Sequence, residues 1–123
     1  MYYFASTKNF DKDTILYPRI PENRSIDEDE YTPRICVSQS INGCLTAIAD
    51  NILENDVVYI YQCKSRSVRQ PSLDEVPDAF ITGEQWVLKP IKINLFFTVK
   101  IKKRIPFYVN ELMETIMEYD VIS

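Results

Sequence analysis

The stretch that decides the fold is Thr32–Ile48, TPRICVSQSINGCLTAI. Ile35–Ser38 reads as a short strand, and Ser40 is a favoured N-cap residue for a helix that runs to about Asn51. Four apolar residues follow the helical spacing i, i+3, i+4 and i+7, which predicts one buried helix face. They are Ile41, Cys44, Leu45 and Ile48. Gly43 lowers helix stability by about 1 kcal/mol relative to alanine, so we expect either a closely packed neighbour or an irregular first turn.

Local patterns predict four further strands, an extended segment and a second helix. The strands are Tyr2–Ser6, Asp56–Cys63, Phe80–Leu88 and Ile91–Lys102, and the extended segment is Ile15–Ile20, whose prolines exclude it from the middle of a sheet. Pro106 opens the last helix, since proline is tolerated in a first turn. Its apolar stripe comprises Val109, Leu112, Met113, Ile116 and Met117. Glu22–Tyr31 and Lys64–Ala79 are predicted to be loops. The order of elements predicts an α+β domain with a mainly antiparallel sheet and two main helices.

Composition limits the class of protein. The chain has 123 residues, enough for one domain over 1–123, and 46% of them are hydrophobic, which argues against disorder. The net charge of −4 disfavours general nucleic-acid binding. No run of apolar residues is long enough to span a membrane, and no signal peptide is expected at the first residues. The three scattered cysteines, which do not form a disulfide framework pattern, predict a cytoplasmic protein, in the reducing environment of the cytosol.

Histidine is absent from the sequence. The commonest general base and transition-metal ligand are therefore missing, and a Ser-His-Asp or Cys-His arrangement is excluded within the chain. Cys36, Cys44 and Cys63 lack the spacing of a disulfide framework or zinc site, so we interpret them as small apolar residues rather than nucleophiles. No metal site is predicted.

Polar residues around the first strand–helix junction are candidates for anion binding. Ser38 and Ser40 lie where backbone N–H groups gather at a helix start, although helix capping alone also explains a serine there. Arg19 and Arg34 each lie in a Pro-Arg-Ile triplet and could hold a phosphate with a planar guanidinium. The alternative is an ion pair with the acidic run Asp27–Glu30.

Glu84 is a second candidate, because it follows Gly83 on a predicted strand. A carboxylate there could stabilise a developing cationic sugar centre, whereas the alternative is an exposed residue beside Trp86. Tyrosines such as Tyr2, Tyr3 and Tyr17 could stack on a base or nicotinamide ring. Tyr59 and Tyr61 are interpreted as core or half-core residues.

Taken together, the segments LYPRIP, TPRICVSQSINGCLTAI, VYIYQC and TGEQWVLKPIKI resemble a poorly characterised family of small phage and mobile-element proteins. These proteins are similar to compact ADP-ribosyltransferases. The resemblance covers roughly Tyr2 to Ile101 and implies a split β-sheet with NAD held in its cleft. It also implies that Arg19, or alternatively Arg34, meets the diphosphate, that Ser38 supports the nicotinamide ribose, and that Glu84 acts catalytically.

The sequence also departs from the ADP-ribosyltransferase pattern. The first strand, YYFAS, has no histidine, the serine motif is Ser-Gln-Ser, and Glu84 is not part of a doubled acid motif. Two main hypotheses follow, beside a third in which the protein is a structural or assembly partner in a phage particle. The protein is an ADP-ribosyltransferase that acts on a host target, or it is a non-catalytic counter-defence inhibitor that binds a host defence protein or sequesters a nucleotide signal. The resemblance implies action in the host cytosol.

Overall fold

The computed structural model describes residues 1–21, 28–66 and 68–123. The strands are β1 Tyr2–Ser6, β2 Ile15–Leu16, β3 Ile35–Ser38, β4 Val57–Cys63, β5 Val68–Arg69, β6 Glu84–Val87, β7 Ile91–Lys92, β8 Asn94–Val109 and β9 Leu112–Val121. The helices are α1 Ile41–Ala47 and α2 Ala79–Thr82, and a 3₁₀ turn spans Ala49–Asn51. Within the described residues no helix is long and apolar enough to cross a membrane.

The predicted α+β class with a mainly antiparallel sheet is confirmed. Over the described ranges, seven strands form one antiparallel sheet in the order β5-β6-β3-β1-β4-β8-β9, and β2 pairs with β7 in a second, two-stranded sheet.

Both faces of the large sheet are covered by apolar side chains. On one face, α1 packs against β1, β4 and β8 through a cluster that includes Leu45, Ile52, Val58 and Ile60. On the other face, β3, β4 and the chain around β7 form a second cluster, which includes Tyr61. The alternation of side chains along β1 and β4 supplies both clusters.

The sheet opens between β1 and β3. These two strands pair only at Tyr3 and Ser38, whereas β1 pairs with β4 at five positions, from Tyr2 to Ser6. Just before β3, Arg34 forms an isolated antiparallel bridge with Arg19. The region between β1 and β3 is therefore a gap within an otherwise continuous sheet.

The junction around Ser40 follows the prediction closely. β1 and β3 have the predicted bounds, and the Ser40 hydroxyl accepts a hydrogen bond from the Gly43 N–H at 3.0 Å. A Cβ on Gly43 would collide with the Thr82 carbonyl oxygen and with the Ser38 and Ser40 hydroxyls. Glycine is therefore required by close packing. The helix is shorter than predicted, because α1 ends at Ala47 and a 3₁₀ turn follows.

The predicted last helix from Pro106 is wrong. Residues 94–121 form a hairpin, in which β8 and β9 are joined by Asn110 and Glu111, both with positive φ (49° and 70°). Such φ values suit a tight two-residue turn between strands. β4 pairs with β8 only as far as Lys100, so Pro106 lies where β8 is an edge strand and a missing N–H is tolerated.

Other predicted boundaries also need correction. The predicted strand Phe80–Leu88 begins inside α2, which ends at the left-handed Gly83 (φ 67°), and only Glu84–Val87 is extended. Only Ile15–Leu16 of the predicted extended segment is a strand, and Ile91–Lys102 is interrupted at Ile93. The predicted loop Lys64–Ala79 contains β5. Residues 22–27 of the predicted acidic loop lie outside the described residues.

Candidate functional site

A cleft with a volume of about 1100 Å³ opens where β1 and β3 separate. Its lining includes the end of β1, the segment 7–17, β3 and one side of α1. Ligand pockets commonly measure roughly 300 to 1,000 Å³, so the cleft is large enough for a dinucleotide. Arg19, Arg34, Ser38 and Glu84 all line it.

Ser38 and Glu84 are direct cross-strand neighbours, although they are far apart in sequence. The Ser38 hydroxyl donates to the Thr82 carbonyl oxygen at 2.8 Å and accepts from the Ser40 N–H at 3.3 Å. The Glu84 N–H donates to the Thr82 hydroxyl at 3.2 Å. Ser38 therefore ties β3 to the turn before β6, and this tie fixes the backbone that carries Glu84.

The Glu84 side chain is buried but lies at the cleft wall, with 7% of the residue exposed. Trp86 Nε1 donates to Glu84 Oε2 at 2.7 Å. Burial raises the pKa of Glu84, while the Trp86 hydrogen bond lowers it and Glu28 and Asp78 raise it further. Glu84 is thus neither the exposed residue of the alternative interpretation nor a fully solvated acid.

Arg34 is fully buried beside the same wall. Its Nη1 donates to the Thr32 carbonyl oxygen at 3.0 Å and to Asp29 Oδ2 at 3.3 Å, and Nη2 lies 3.6 Å from Glu28 Oε2. The predicted ion pairing is confirmed for these two acids, and Asp27 lies outside the described residues. Nε and Nη2 have no hydrogen-bond acceptor among the described residues.

Arg19 differs from Arg34 in being exposed. Its backbone N–H and carbonyl are both bonded to Arg34, at 3.1 and 2.9 Å, which holds the chain at the cleft. Among the residues that the structure describes, no acid forms an ion pair with its guanidinium. Of the two predicted arginines, Arg19 is the one whose side chain can reach a ligand without prior rearrangement.

Ser40 and Tyr3, the other two predicted binding residues, do not line the cleft. The Ser40 hydroxyl is engaged in capping α1, which has only seven residues. Tyr3 packs against the α1 cluster, and its ring centroid lies 6.0 Å from that of Phe96.

Two further aromatic residues contribute to the site, one in its lining and one behind its wall. Tyr17 lines the cleft with 66% of its surface exposed, in the segment between β2 and Arg19. Trp86 is fully buried and contacts Glu84 and Arg34. Tyr17 is among the tyrosines that were predicted as candidates for stacking on a ring, whereas the contacts of Trp86 were not predicted, and the available signal was only that Trp86 follows Glu84 at strand spacing.

The cysteines behave as small core residues, as predicted. Burial raises the pKa of Cys36 and Cys44 to about 12 and that of Cys63 to about 11. Since the thiolate is the reactive form, none of them is a competent nucleophile at neutral pH. Tyr61 is buried and Tyr59 half-buried, which also follows the prediction. Within the described part of the chain, no cluster of three or more ligating side chains is placed to hold a metal ion.

Comparison with protein-family models, with curated proteins and with solved structures finds no match to this chain.

Proposed function

We propose that this protein binds NAD or a closely related nucleotide in the cleft between β1 and β3, and that Glu84 acts on its nicotinamide ribose. One observation carries the proposal: Arg19, Ser38 and Glu84, which are distant in sequence, line one cleft at the break in the sheet. An exposed guanidinium suits a diphosphate, and a carboxylate suits a developing cationic sugar.

The proposed reaction is transfer of ADP-ribose to a target. The bond between the ribose C1′ and the nicotinamide nitrogen breaks, and nicotinamide leaves with the electron pair. A target side chain, or water in the competing hydrolysis, then forms a new bond to C1′, while the Glu84 carboxylate stabilises the cationic sugar and accepts the proton that the nucleophile loses. In this proposal the protein is encoded by a phage or mobile element and acts in the host cytosol, as the resemblance implies.

Glu84→Gln tests the catalytic part of the proposal. We expect it to lower NAD consumption by about 100-fold or more, because a neutral amide cannot stabilise the developing cation. Glu118→Gln on β9 is the matched control, since Glu118 is exposed and lies outside the cleft. Equal NAD consumption in the two variants would remove Glu84 from the reaction.

The β8–β9 hairpin favours a second candidate function, which is binding to a protein without catalysis. Beyond Lys100, β9 is the one strand that pairs with β8 among the described residues, and the directly opposed side chains of Tyr108 and Met113 are exposed there. Contiguous exposed apolar side chains are typical of protein contacts. Capture of a host protein by the wild type but not by a Tyr108→Ser, Met113→Ser variant, with no NAD turnover in either, would favour this counter-defence function.

A further inference from the structure

The indole of Trp86 is the group that holds the Glu84 carboxylate. Its Nε1–H donates to Oε2 at 2.7 Å, which is at the short end for an N–H to carboxylate bond. No hydrogen bond to the other oxygen, Oε1, is found among the described residues, and Glu84 lines the cleft. One carboxylate oxygen is therefore anchored in the protein, while the other remains for a ligand.

The Trp86 ring is itself held between two guanidinium groups. The guanidinium carbon of Arg34 lies 4.3 Å from the ring centroid, and that of Arg69 lies 4.6 Å from it. The two arginines come from opposite sides of β6, because Arg69 belongs to β5 and Arg34 directly precedes β3. Cations close to an indole ring are attracted to its π-face, and by drawing electron density from the ring they make the N–H a stronger donor.

Each guanidinium is fixed by its own acid. Arg69 forms two parallel hydrogen bonds with Glu75, at 2.8 and 2.9 Å, and Glu75 also accepts from the Ser72 N–H at 3.0 Å. Arg34 is held by Asp29 and the Thr32 carbonyl. Paired planar contacts of this kind restrict rotation as well as position. The orientation of the indole is therefore set from two sides, by Arg34 at the cleft wall and by Arg69, which lies outside the cleft lining.

We propose that Trp86 is a positioning residue for Glu84, whose indole N–H anchors one carboxylate oxygen and aims the other into the cleft. The expected effect of Trp86 on NAD turnover rests on the proposed function. The placement of the carboxylate is a property of the protein without any ligand. Because the indole bond favours the ionised carboxylate and opposes the effect of burial, its loss should raise the pKa of Glu84 further.

The first test uses the wild-type protein, in which Trp86 is the single tryptophan. A ¹⁵N–¹H NMR spectrum therefore contains one indole N–H signal, with no ambiguity of assignment. We expect this proton to exchange slowly with water and its shift to follow one titration as pH is varied. Glu84→Gln should abolish that titration, whereas Glu118→Gln should leave it in place. Rapid exchange, or a titration that survives Glu84→Gln, would overturn the proposal.

The second test is Trp86→Phe, which keeps an aromatic ring but removes the N–H. We expect kcat for NAD consumption to fall by about tenfold at neutral pH, with KM changed less than about twofold, and the acidic limb of the pH–rate profile to move to higher pH. Ile60→Val, in the core cluster beneath α1, controls for a general loss of packing. A pH–rate profile that Trp86→Phe leaves unmoved would contradict the positioning role.

Arg69→Gln is the substitute variant if Trp86→Phe does not fold, because it retains the indole. Since it removes one of the two cations, we expect the indole proton to exchange faster and the pH–rate profile to move in the same direction by a smaller amount. If the indole proton exchanges at the wild-type rate in Arg69→Gln, Arg69 does not help to hold the Trp86 ring. If the indole titration behaves as expected but no NAD is consumed, the proposed function fails and the placement of Glu84 stands.

Discussion

The cleft and the C-terminal hairpin belong to the same antiparallel sheet but differ in how completely their neighbouring strands pair. Between β1 and β3 a single residue pair is formed, and buried polar groups gather beside the gap. Between β8 and β9 ten pairs are formed, from Val99–Val121 to Val109–Leu112, and the polar side chains are mostly exposed. Strand pairing satisfies the backbone and leaves little room for a ligand, whereas the gap depends on side chains such as Arg34 and Ser38 for its shape.

The largest effect on stability is expected from Arg34→Met. The substitution removes a fully buried guanidinium together with its hydrogen bonds to Asp29 and to the Thr32 carbonyl, and it leaves Asp29 and Glu28 without their cation, so we expect a larger loss in the free energy of unfolding than for any substitution below. Urea unfolding measures the loss. Arg66→Met is the matched control, since Arg66 is exposed and outside the cleft. Equal losses in both variants would mean that Arg34 does not support the cleft wall.

Gly43→Ala should have the next largest effect. A Cβ at this position meets the Thr82 carbonyl oxygen, so the turn before β6 must move away from α1. Overpacking of this kind typically costs about 1 to 3 kcal/mol, which exceeds the gain in helix propensity. The control is Asn42→Ala, an exposed position on the same helix, which should be neutral or slightly stabilising. Denaturant unfolding that ranks Gly43→Ala above wild type would contradict the close packing.

Glu114, on β9, should make stability depend on pH. Burial, together with Asp78 and Asp50, raises its pKa from 4.5 to about 8. The folded protein therefore holds a proton that the unfolded chain releases, and this group's contribution to stability falls as pH rises from about 4.5 to about 8. Compared with wild type, Glu114→Gln should lose less thermal stability between pH 5 and pH 8. Parallel melting curves for the two proteins would show that Glu114 titrates normally.

The smallest effect is expected at the hairpin turn. Glu111 has φ 70°, a left-handed conformation whose conformational free energy is higher for glutamate than for asparagine or glycine. Glu111→Gly should therefore raise the free energy of unfolding by about 0.5 to 1 kcal/mol, and Asn110→Gly by less. A stabilising change of the same size in both variants would argue against the turn geometry.

Local sequence signals were sufficient where neighbouring residues determine the structure. The Ser40 cap and the strand Ile35–Ser38 were predicted from the segment around them, and of the two explanations offered for Gly43 the structure shows the closely packed neighbour. The hairpin was not predictable in this way. Its apolar residues at 109, 112, 113, 116 and 117 also satisfy a helical period, and its turn, Asn110-Glu111, lacks the usual Asn-Gly signal. Pairing with β8 overrides the helical pattern.

The residues of the candidate site also differ in how far the sequence could predict them. Arg19, Ser38 and Glu84 were selected by a resemblance and by residue chemistry, and the fold places them on one cleft. Ser40 and Tyr3 were selected on local grounds but lie outside its lining. The role of Trp86 depends on Arg69, which reaches it only because β5 pairs with β6. A two-residue strand within a predicted loop gives no sequence signal of that contact.

The most direct test of the account is an NMR titration of the ¹⁵N-labelled protein with NAD. We predict that backbone signals of Ser6, Ser38 and Glu84, and the single indole signal of Trp86, move with NAD concentration, while signals of Asn110 and Glu111 at the hairpin turn do not. At about 100 times its dissociation constant NAD should also add about 2.7 kcal/mol of stability. Cleft signals that stay in place at millimolar NAD, or that move no more than those of the hairpin turn, would contradict the assignment of the cleft as a nucleotide site.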